Sequence, residues 1–408
     1  MKWEQKTLAE LCNKLTDGTH DSPKLQTSGI PFIKGVHVKQ GIIDFENCDY
    51  ITYEDHEKVI KRSKPEKNDI LLANIGINIG ELGYVKTDIE FSIKNVALLK
   101  VNPDIIDSKY LYYNLKNPSQ QERLRNYKGG SAQPFLSLET LRGYTIKFHK
   151  FKITQRKIAT ILSAYDDLIE NNLKRIKLLE EKAQLHYKEL MQEMSYSKNK
   201  REEYIKDCLT FYIGGGWGEE DYKEGFTEPA YVIRGTDIPD AKKGEIKNVP
   251  FRYHKESNLA SRNLQAGDIV FEVSGGSKGQ PVGRSLLVTE KMLQQFGKPV
   301  MCASFCKMLR PNENVTPEFF YLYLLASREN GIIAQYEKHS ASNIVNYGFE
   351  EFIGEQKITI PKETELKAFT EKVKPIFTLI NTLGEQNTKL REARDILLPR
   401  LMNGEIEV

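Results

Sequence analysis

The residue patterns in this chain that come nearest to catalysis each fall short of the reaction they suggest. Methyl transfer to an exocyclic amine needs an N/D-P-P-F/Y turn to hold the amine and a glycine-rich turn after a strand for the methyl donor. Asn102-Pro103-Asp104 and Asn117-Pro118-Ser119 come closest, and both lack the second proline and the aromatic. A metal-nuclease pattern, P-D…D/E-x-K, matches twice by spacing: Pro103-Asp104 with Asp107-Ser108-Lys109, and Pro239-Asp240 with Glu245-Ile246-Lys247. Both gaps are too short to set the acids on separate strands around a metal, so these segments read as turns with surface charge. Gly275-Gly276-Ser277-Lys278-Gly279 is glycine-rich but lacks the G-x4-G-K-S/T spacing of a phosphate loop. Cys302 and Cys306 form a C-x3-C with no second pair of His or Cys ligands, which a zinc site requires. None of the seven histidines stands with a Ser or Cys in a nucleophile setting, and His186 falls in a helical seam where a structural role is expected. The expectation is a chain that binds, with no catalytic residue, metal or cofactor of its own.

The elements that would carry such binding repeat. Phe32-Ile33-Lys34-Gly35-Val36-His37-Val38 matches Val232-Ile233-Arg234-Gly235-Thr236-Asp237-Ile238, and Lys67-Asn68-Asp69-Ile70-Leu71-Leu72 matches Ala266-Gly267-Asp268-Ile269-Val270-Phe271. Tyr110-Leu111-Tyr112-Tyr113 matches Phe319-Phe320-Tyr321-Leu322, each after a proline turn at Pro103 or Pro311. Ser131-Ala132 matches Ser340-Ala341, and Cys12 followed by Gly18 matches Cys208 followed by Gly214. One such match is noise; all of them in the same order, about 200 residues apart, mean duplication.

Each copy ends in a seven-residue pattern. In the first, Ile158, Leu162, Tyr165, Ile169, Asn172, Ile176, Leu179, Ala183, His186 and Leu190 alternate spacings of four and three. In the second, Leu366, Phe369, Val373, Ile376, Ile380, Leu383, Asn387, Leu390, Arg394, Leu397 and Leu401 do the same. A repeat of 3.5 residues held this long keeps one stripe against a partner helix. Thr154 is the expected N-cap of the first helix, and Pro375 should kink the second near Glu371 or delay its regular start. Antiparallel pairing about matched centres would set Asn172 beside Asn387, as a register pair, and Arg394 beside Tyr165 and Asp166. A helix of about 40 residues spans about 60 Å, so the pair would be a ruler with a lobe at each end. The fold class predicted is α+β: two β-rich mixed α/β lobes joined by a long antiparallel two-helix coiled coil, with an internal pseudo-twofold repeat. The lobes are placed at 1–152 and 204–361, the helices at 153–194 and 362–408 with the tail, and a polar linker at 195–203.

At 408 residues the chain has room for two domains with real cores. A mean hydropathy of −0.50 and no apolar run near the ~18 residues of a membrane span argue against a membrane-spanning helix. The start, MKWEQKTLAELC, has no leader pattern, and five cysteines make an odd set without a secretion signal. Reduced thiols in a cytoplasm are expected. A net charge of +3 is compatible with nucleic acid without demanding it, so basic groups must act locally or a partner must share the work.

Several stretches resemble the specificity subunit of type I restriction-modification systems. They are Leu15-Thr16-Asp17-Gly18-Thr19-His20-Asp21-Ser22-Pro23, then Gly29-Ile30-Pro31-Phe32-Ile33, then Lys67 to Leu72 leading to Gly83-Tyr84-Val85, and the ending Leu397-Leu398-Pro399-Arg400-Leu401-Met402-Asn403-Gly404-Glu405-Ile406. The resemblance covers essentially the whole chain, including the order lobe, helix, lobe, helix. It implies two target-recognition domains, each reading half of a split double-stranded DNA site. It also implies helices that dock two methyltransferase subunits, with restriction/translocase subunits able to join. S-adenosylmethionine, ATP and Mg would then belong to those partners. The lobes differ in their loops, GTHDSPK against GGGWGEEDYKE, which predicts an asymmetric site.

For a DNA reader, Asn or Gln suits adenine and Arg or Lys suits guanine, while phosphates take Lys, Ser and backbone N–H groups. Loops projecting from a β-rich frame are the place to look. The first lobe offers Thr19 and His20, then Asn74 and Asn78, then Lys128, Ser131 and Gln133. The second offers Trp217, then Ser274, Lys278 and Gln280, then Lys338, Ser340 and Asn343. Asn74, Asn78, Gln133, Gln280 and Asn343 are the candidates for base edges, and Lys128, Ser131, Lys278, Lys338 and Ser340 those for phosphates. Lys34 and Arg234, at matching strand ends, are either phosphate contacts or surface charges. The aromatic runs Tyr110–Tyr113 and Phe319–Tyr323 read as helix core. The rival reading is a duplicated protein–protein adaptor without sequence-specific DNA binding.

Overall fold

Ile70-Leu71-Leu72-Ala73 and Ile269-Val270-Phe271-Glu272 are buried at every position, and each becomes an inner strand, as the apolar runs Ile70–Ala73 and Ile269–Phe271 predict. The structure, a computed structural model, describes residues 2–39, 41–76, 78–126, 135–196, 201–276, 282–339 and 345–408. The chain divides into two units, residues 1–166 with 392–408, and residues 167–391. Both boundaries fall inside a helix, Lys152–Ser195 or Glu363–Met402.

In the first unit the strands Cys12–Asp17, Val96–Val101, Ile70–Ala73 and Leu82–Tyr84 lie side by side in that order, all antiparallel. A second sheet orders Asp49–Ile51, Ile30–Lys34 and Ser92–Lys94, the last two parallel. Trp3–Thr7 pairs with Thr145–His149. Tyr110, Leu111 and Tyr113 of the helix Ser108–Lys116 join Leu398, Leu401 and Met402 in one core. Next to it Asp166 accepts hydrogen bonds from Tyr113 at 2.7 Å and from the Arg394 guanidinium, with Lys116 at 3.5 Å.

In the second unit Leu209–Gly214, Cys306–Pro311, Ile269–Glu272 and Ser285–Leu287 form an antiparallel sheet in that order. Phe251–His254, Glu228–Ile233 and Val300–Cys302 form a second, again with its last two strands parallel. Arg201–Tyr204 pairs with Lys357–Ile360. Phe319, Phe320 and Leu324 pack into a core with Leu366, Phe369 and Val373. Both aromatic runs are therefore helix core, as their sequence predicts.

The same turn leads into the central strand of each unit. Asn68 at φ 73° and Gly267 at φ 95° adopt left-handed backbone. The next residue, Asp69 or Asp268, accepts from a backbone N–H two residues before that turn residue, Glu66 or Gln265, at 2.7 Å in both cases. Each carboxylate then pairs with a cation across the sheet, Lys100 at 2.8 Å or Arg310 at 2.7 Å.

Four expectations need correction. The linker does not extend to residue 203, because Arg201–Tyr204 is a strand whose backbone is satisfied by Lys357–Ile360; its charged residues gave no apolar alternation. Thr154 does not cap the first helix, which starts at Lys152; its N–H donates to Phe151 O at 3.1 Å. Pro375 does not delay the second helix, which runs continuously from Glu363. The buried stripe of the first helix passes through Ala183, Tyr187, Leu190 and Met194, leaving His186 half-exposed beside Glu189 at 3.2 Å.

Candidate nucleic-acid interface

The loops of each unit start where the two sheets meet, and backbone hydrogen bonds fix their starting points. In the first unit Gly18 N–H donates to Val96 O at 3.0 Å and Thr19 N–H to Ile93 O at 3.1 Å. A Cβ at Gly18 would lie 2.2 Å from Ile93 O, so the chain can pass here only as glycine. Thr19 Oγ1 then accepts from Asp21 N–H at 3.0 Å, closing a tight turn. His20, exposed beyond that turn, meets Asp17 Oδ2 through Nε2 at 3.0 Å and Asn95 Oδ1 through Nδ1 at 2.9 Å. Buried Asp17 also receives the Arg62 guanidinium, and Lys94 donates to Ser22.

Asn78 Nδ2 donates to Gly35 O at 3.2 Å, drawing the loop after Ile70–Ala73 toward the turn after Ile30–Lys34. Asn74 is only 1% exposed. Its side-chain Nδ2 donates to Leu136 O at 3.3 Å and its backbone carbonyl accepts from Leu136 N–H at 2.9 Å. It ties two loops together inside the unit and offers no edge to a base, which corrects its assignment as a base contact. Lys34 pairs with Asp49 at 2.5 Å.

The second unit begins its loops in the same manner. Gly215 N–H donates to Cys306 O at 2.9 Å and Gly216 N–H to Cys302 O at 3.0 Å. A Cβ at Gly215 would meet both Cys302 O and Ala303 O at 2.2 Å. Gly215 is thus the counterpart of Gly18, one residue along from the Gly214 that the sequence match picked out. Trp217 stands where the first unit has His20. It is 39% exposed, with the Arg252 guanidinium 4.2 Å from its ring centre, and Arg252 also reaches Glu220 at 3.2 Å. Such a stack holds the indole at a fixed angle. His254 lies buried nearby, and burial, followed by the charge of Arg252, holds it below its ordinary value.

Ser274 N–H donates to Phe305 O at 3.3 Å, and the short strand Ser274–Gly276 pairs with Val345–Tyr347, which pairs with Glu337–His339. Lys338 on that last strand is exposed and bonded to Glu351 at 2.5 Å. Arg234 grips Asp237 with two bonds of 2.9 and 2.8 Å, which raise it above its ordinary value. Lys34 and Arg234 are both ion-paired within their own units. Lys128, Ser131, Gln133, Lys278, Gln280, Ser340 and Asn343 lie outside the described residues.

Thr19, His20 and Asn78 are thus gathered at one end of the first unit's sheets, and Trp217 and Ser274 at the matching end of the second unit's. Sequence reasoning missed three participants. Asn95 holds His20, Arg252 orients Trp217, and Phe305 is a phenyl 59% exposed at the turn that supports Ser274. The one available signal was Asn95, a turn-forming residue placed between two apolar strands. Among the described residues no group of His, Cys, Asp and Glu is arranged to hold a metal ion. The five cysteines are free, and burial pushes Cys302 up to about 12.

Comparison with known proteins bears on what such an arrangement serves. Residues 1–181 match the type I restriction modification DNA specificity domain. The MjaIX type I restriction enzyme specificity subunit of Methanocaldococcus jannaschii is 25% identical over 407 aligned residues, covering 90% of this chain and 85% of that one. The HindI specificity subunit of Haemophilus influenzae is 29% identical over 179 residues, covering 42% of this chain and 36% of that protein. The crystal structure of a type I restriction-modification S subunit from M. genitalium superposes with a TM-score of 0.58 at 18% identity, over 98% of this chain and 96% of that one. That likeness shows the fold, and the sequence relatives agree with it over nearly the whole length. The chain is similar over nearly its whole length to specificity subunits of type I restriction-modification systems, and its first 181 residues match their DNA specificity domain.

Proposed function

We propose that each unit is a target-recognition domain reading one half of an asymmetric, bipartite DNA site, and that the two long helices pair as the spacer between the halves. The chain is non-catalytic by itself. Two adenine methyltransferase subunits dock on its helices, restriction/translocase subunits can join, and S-adenosylmethionine, ATP and Mg act on those partners. The complex works in the cytoplasm; among the described residues no helix is long and apolar enough to cross a membrane.

The observation that carries this reading is that two units with the same strand order start their loops from the same backbone bonds and fill them with different side chains. A shared frame with His20 in one copy and Trp217 in the other suits two readers of different base sequences. Pairing of the helices is supported by Asn172 Nδ2 donating to Asn387 Oδ1 at 3.0 Å, and by Asp166 with Arg394. Six residues back along one helix correspond to seven forward along the other, which is an antiparallel register. Thr19, His20, Asn78, Trp217, Ser274 and Lys338 remain the described candidates for DNA contact. Lys338 must exchange its Glu351 partner for a phosphate.

A mobility-shift assay of the chain assembled with its methyltransferase partners tests the reading. Binding to one bipartite sequence, weakening steeply with salt as phosphate-bound counterions are released, is expected. Equal affinity for all sequences would favour a protein adaptor and overturn the proposal.

A further inference from the structure

Asn95 and Phe305 stand in the same turn of their units, each directly before the residue whose carbonyl holds the loop-starting glycine. Gly18 N–H bonds to Val96 O and Gly215 N–H to Cys306 O, so Val96 corresponds to Cys306; the next bonds reach Ile93 O and Cys302 O, which makes the turn before them one residue longer in the second unit. Phe305 is 59% exposed, yet its turn is fixed on both sides. Cys306 N–H donates to Ala303 O at 2.8 Å, and Phe305 O accepts from Val273 and Ser274 N–H at 2.9 and 3.3 Å. A phenyl on a pinned turn keeps its aim, whereas one on a loose loop folds back onto the surface. Single exposed apolar side chains are common; this one stands at the point where two candidate reading loops begin. In the first unit Asn95 sits at φ 52°, in left-handed backbone, with its Oδ1 facing His20 Nδ1 at 2.9 Å.

We propose that this turn position is a specificity determinant in both units: Phe305 contacts a thymine methyl in one half-site, and Asn95 presents its amide to an adenine in the other. The assignment rests on the reading of each unit as a DNA-recognition domain. Its chemistry is that of the major groove, where thymine alone carries a methyl and where adenine offers the donor and acceptor that an amide matches. A phenyl can offer a base edge only apolar contact, which excludes guanine and cytosine as preferred partners there.

The test is genome-wide mapping of methylated adenines in the host, with the native gene deleted and replaced by the wild-type chain, Phe305→Ala, Phe305→Asn or Asn95→Gly. Glycine accepts the left-handed backbone at position 95, so that variant removes the amide and spares the turn. Phe305→Ala is expected to admit other bases at one position of one half-site, with discrimination falling about tenfold, the size of a single base contact. Phe305→Asn should shift that position toward adenine. Asn95→Gly should relax one position in the other half only. Motifs unchanged in all variants would overturn the assignment. So would methylation lowered evenly with base preferences intact, which is the mark of a shape-reading wedge or a structural role. A wild-type chain that restores no methylated motif would overturn the DNA-reading function itself, and this assignment with it.

Discussion

Gly215 has no left-handed backbone to explain it, and space is the reason glycine stands there. Two carbonyl oxygens lie 2.2 Å from where its Cβ would be. Gly215→Ala must push the strand end away from Cys302 and Ala303, at a cost of about 1–3 kcal/mol typical of overpacking, and Gly18→Ala should behave alike in the first unit. Thermal unfolding of the full-length chain measures this, and an unchanged midpoint would contradict the close approach. His254 provides a pH dependence at the same scale. Its folded value lies below the ordinary 6.5, so the unfolded chain binds the proton first and stability falls as pH drops below about 6.5. Trp3→Phe leaves Trp217 as the one tryptophan of two. Urea unfolding followed by its emission should show stability falling as the pH drops through about 6.5, and a stability unchanged down to about pH 5 would count against a neutral His254. Part of the placement is legible in the sequence: turn chemistry puts Thr19, His20 and Trp217 outside the strands and helices, as the structure has them, whereas Ser274 opens a short strand. Asn74 was misread because a loop-tying asparagine and a base-reading one have the same sequence neighbourhood, and only burial separates them. Phe305 gave no signal, since an exposed phenylalanine and a core one are the same letter.

The long helices are where the sequence carried most information, because a heptad stripe must repeat to exist. Leu366, Phe369, Val373, Ile376, Ile380, Leu383 and Asn387 are all buried at the positions their spacing marks. The stripe of the first helix was read one residue early at His186, since spacings of four and three can be taken in either order and Tyr187 is its neighbour. Asn387 is fully buried, and its Nδ2 has no hydrogen-bond partner among the described residues, while its Oδ1 takes the bond from Asn172. Replacing Asn387 alone with leucine strands the Asn172 amide in an apolar seam and should cost about 1–3 kcal/mol. Converting both to leucine should recover that loss or exceed wild type, because a buried polar pair specifies register more than it stabilises. A double-mutant cycle in urea reads the coupling; additive losses would mean that the two amides do not depend on each other.

At the scale of the whole chain, the proposed function makes the helices a spacer and the sheets and loops readers, and the two roles should then be separable. Each residue of helix advances about 1.5 Å, so one heptad is worth about 10 Å, close to three base pairs at about 3.4 Å per step of B-DNA. Removing seven residues keeps the seam in phase, because a heptad returns the stripe to the same face; removing four or five would rotate it away. The deletion must be made in both helices together, opposite one another in the antiparallel register, or the shortened helix would leave its partner's apolar stripe uncovered. Deleting 173–179 with 380–386 meets the phase requirement while sparing Asn172 and Asn387. The loss of Gly384, whose Cβ would meet Lys243 O at 2.0 Å, makes folding of this variant a point to verify first by circular dichroism. In a folded variant, methylation should move to a site with the same half-sequences and a gap shorter by about three base pairs. Unchanged spacing would remove the helices from the role of ruler, and altered half-sequences would show that reading and measuring are not separate in this molecule.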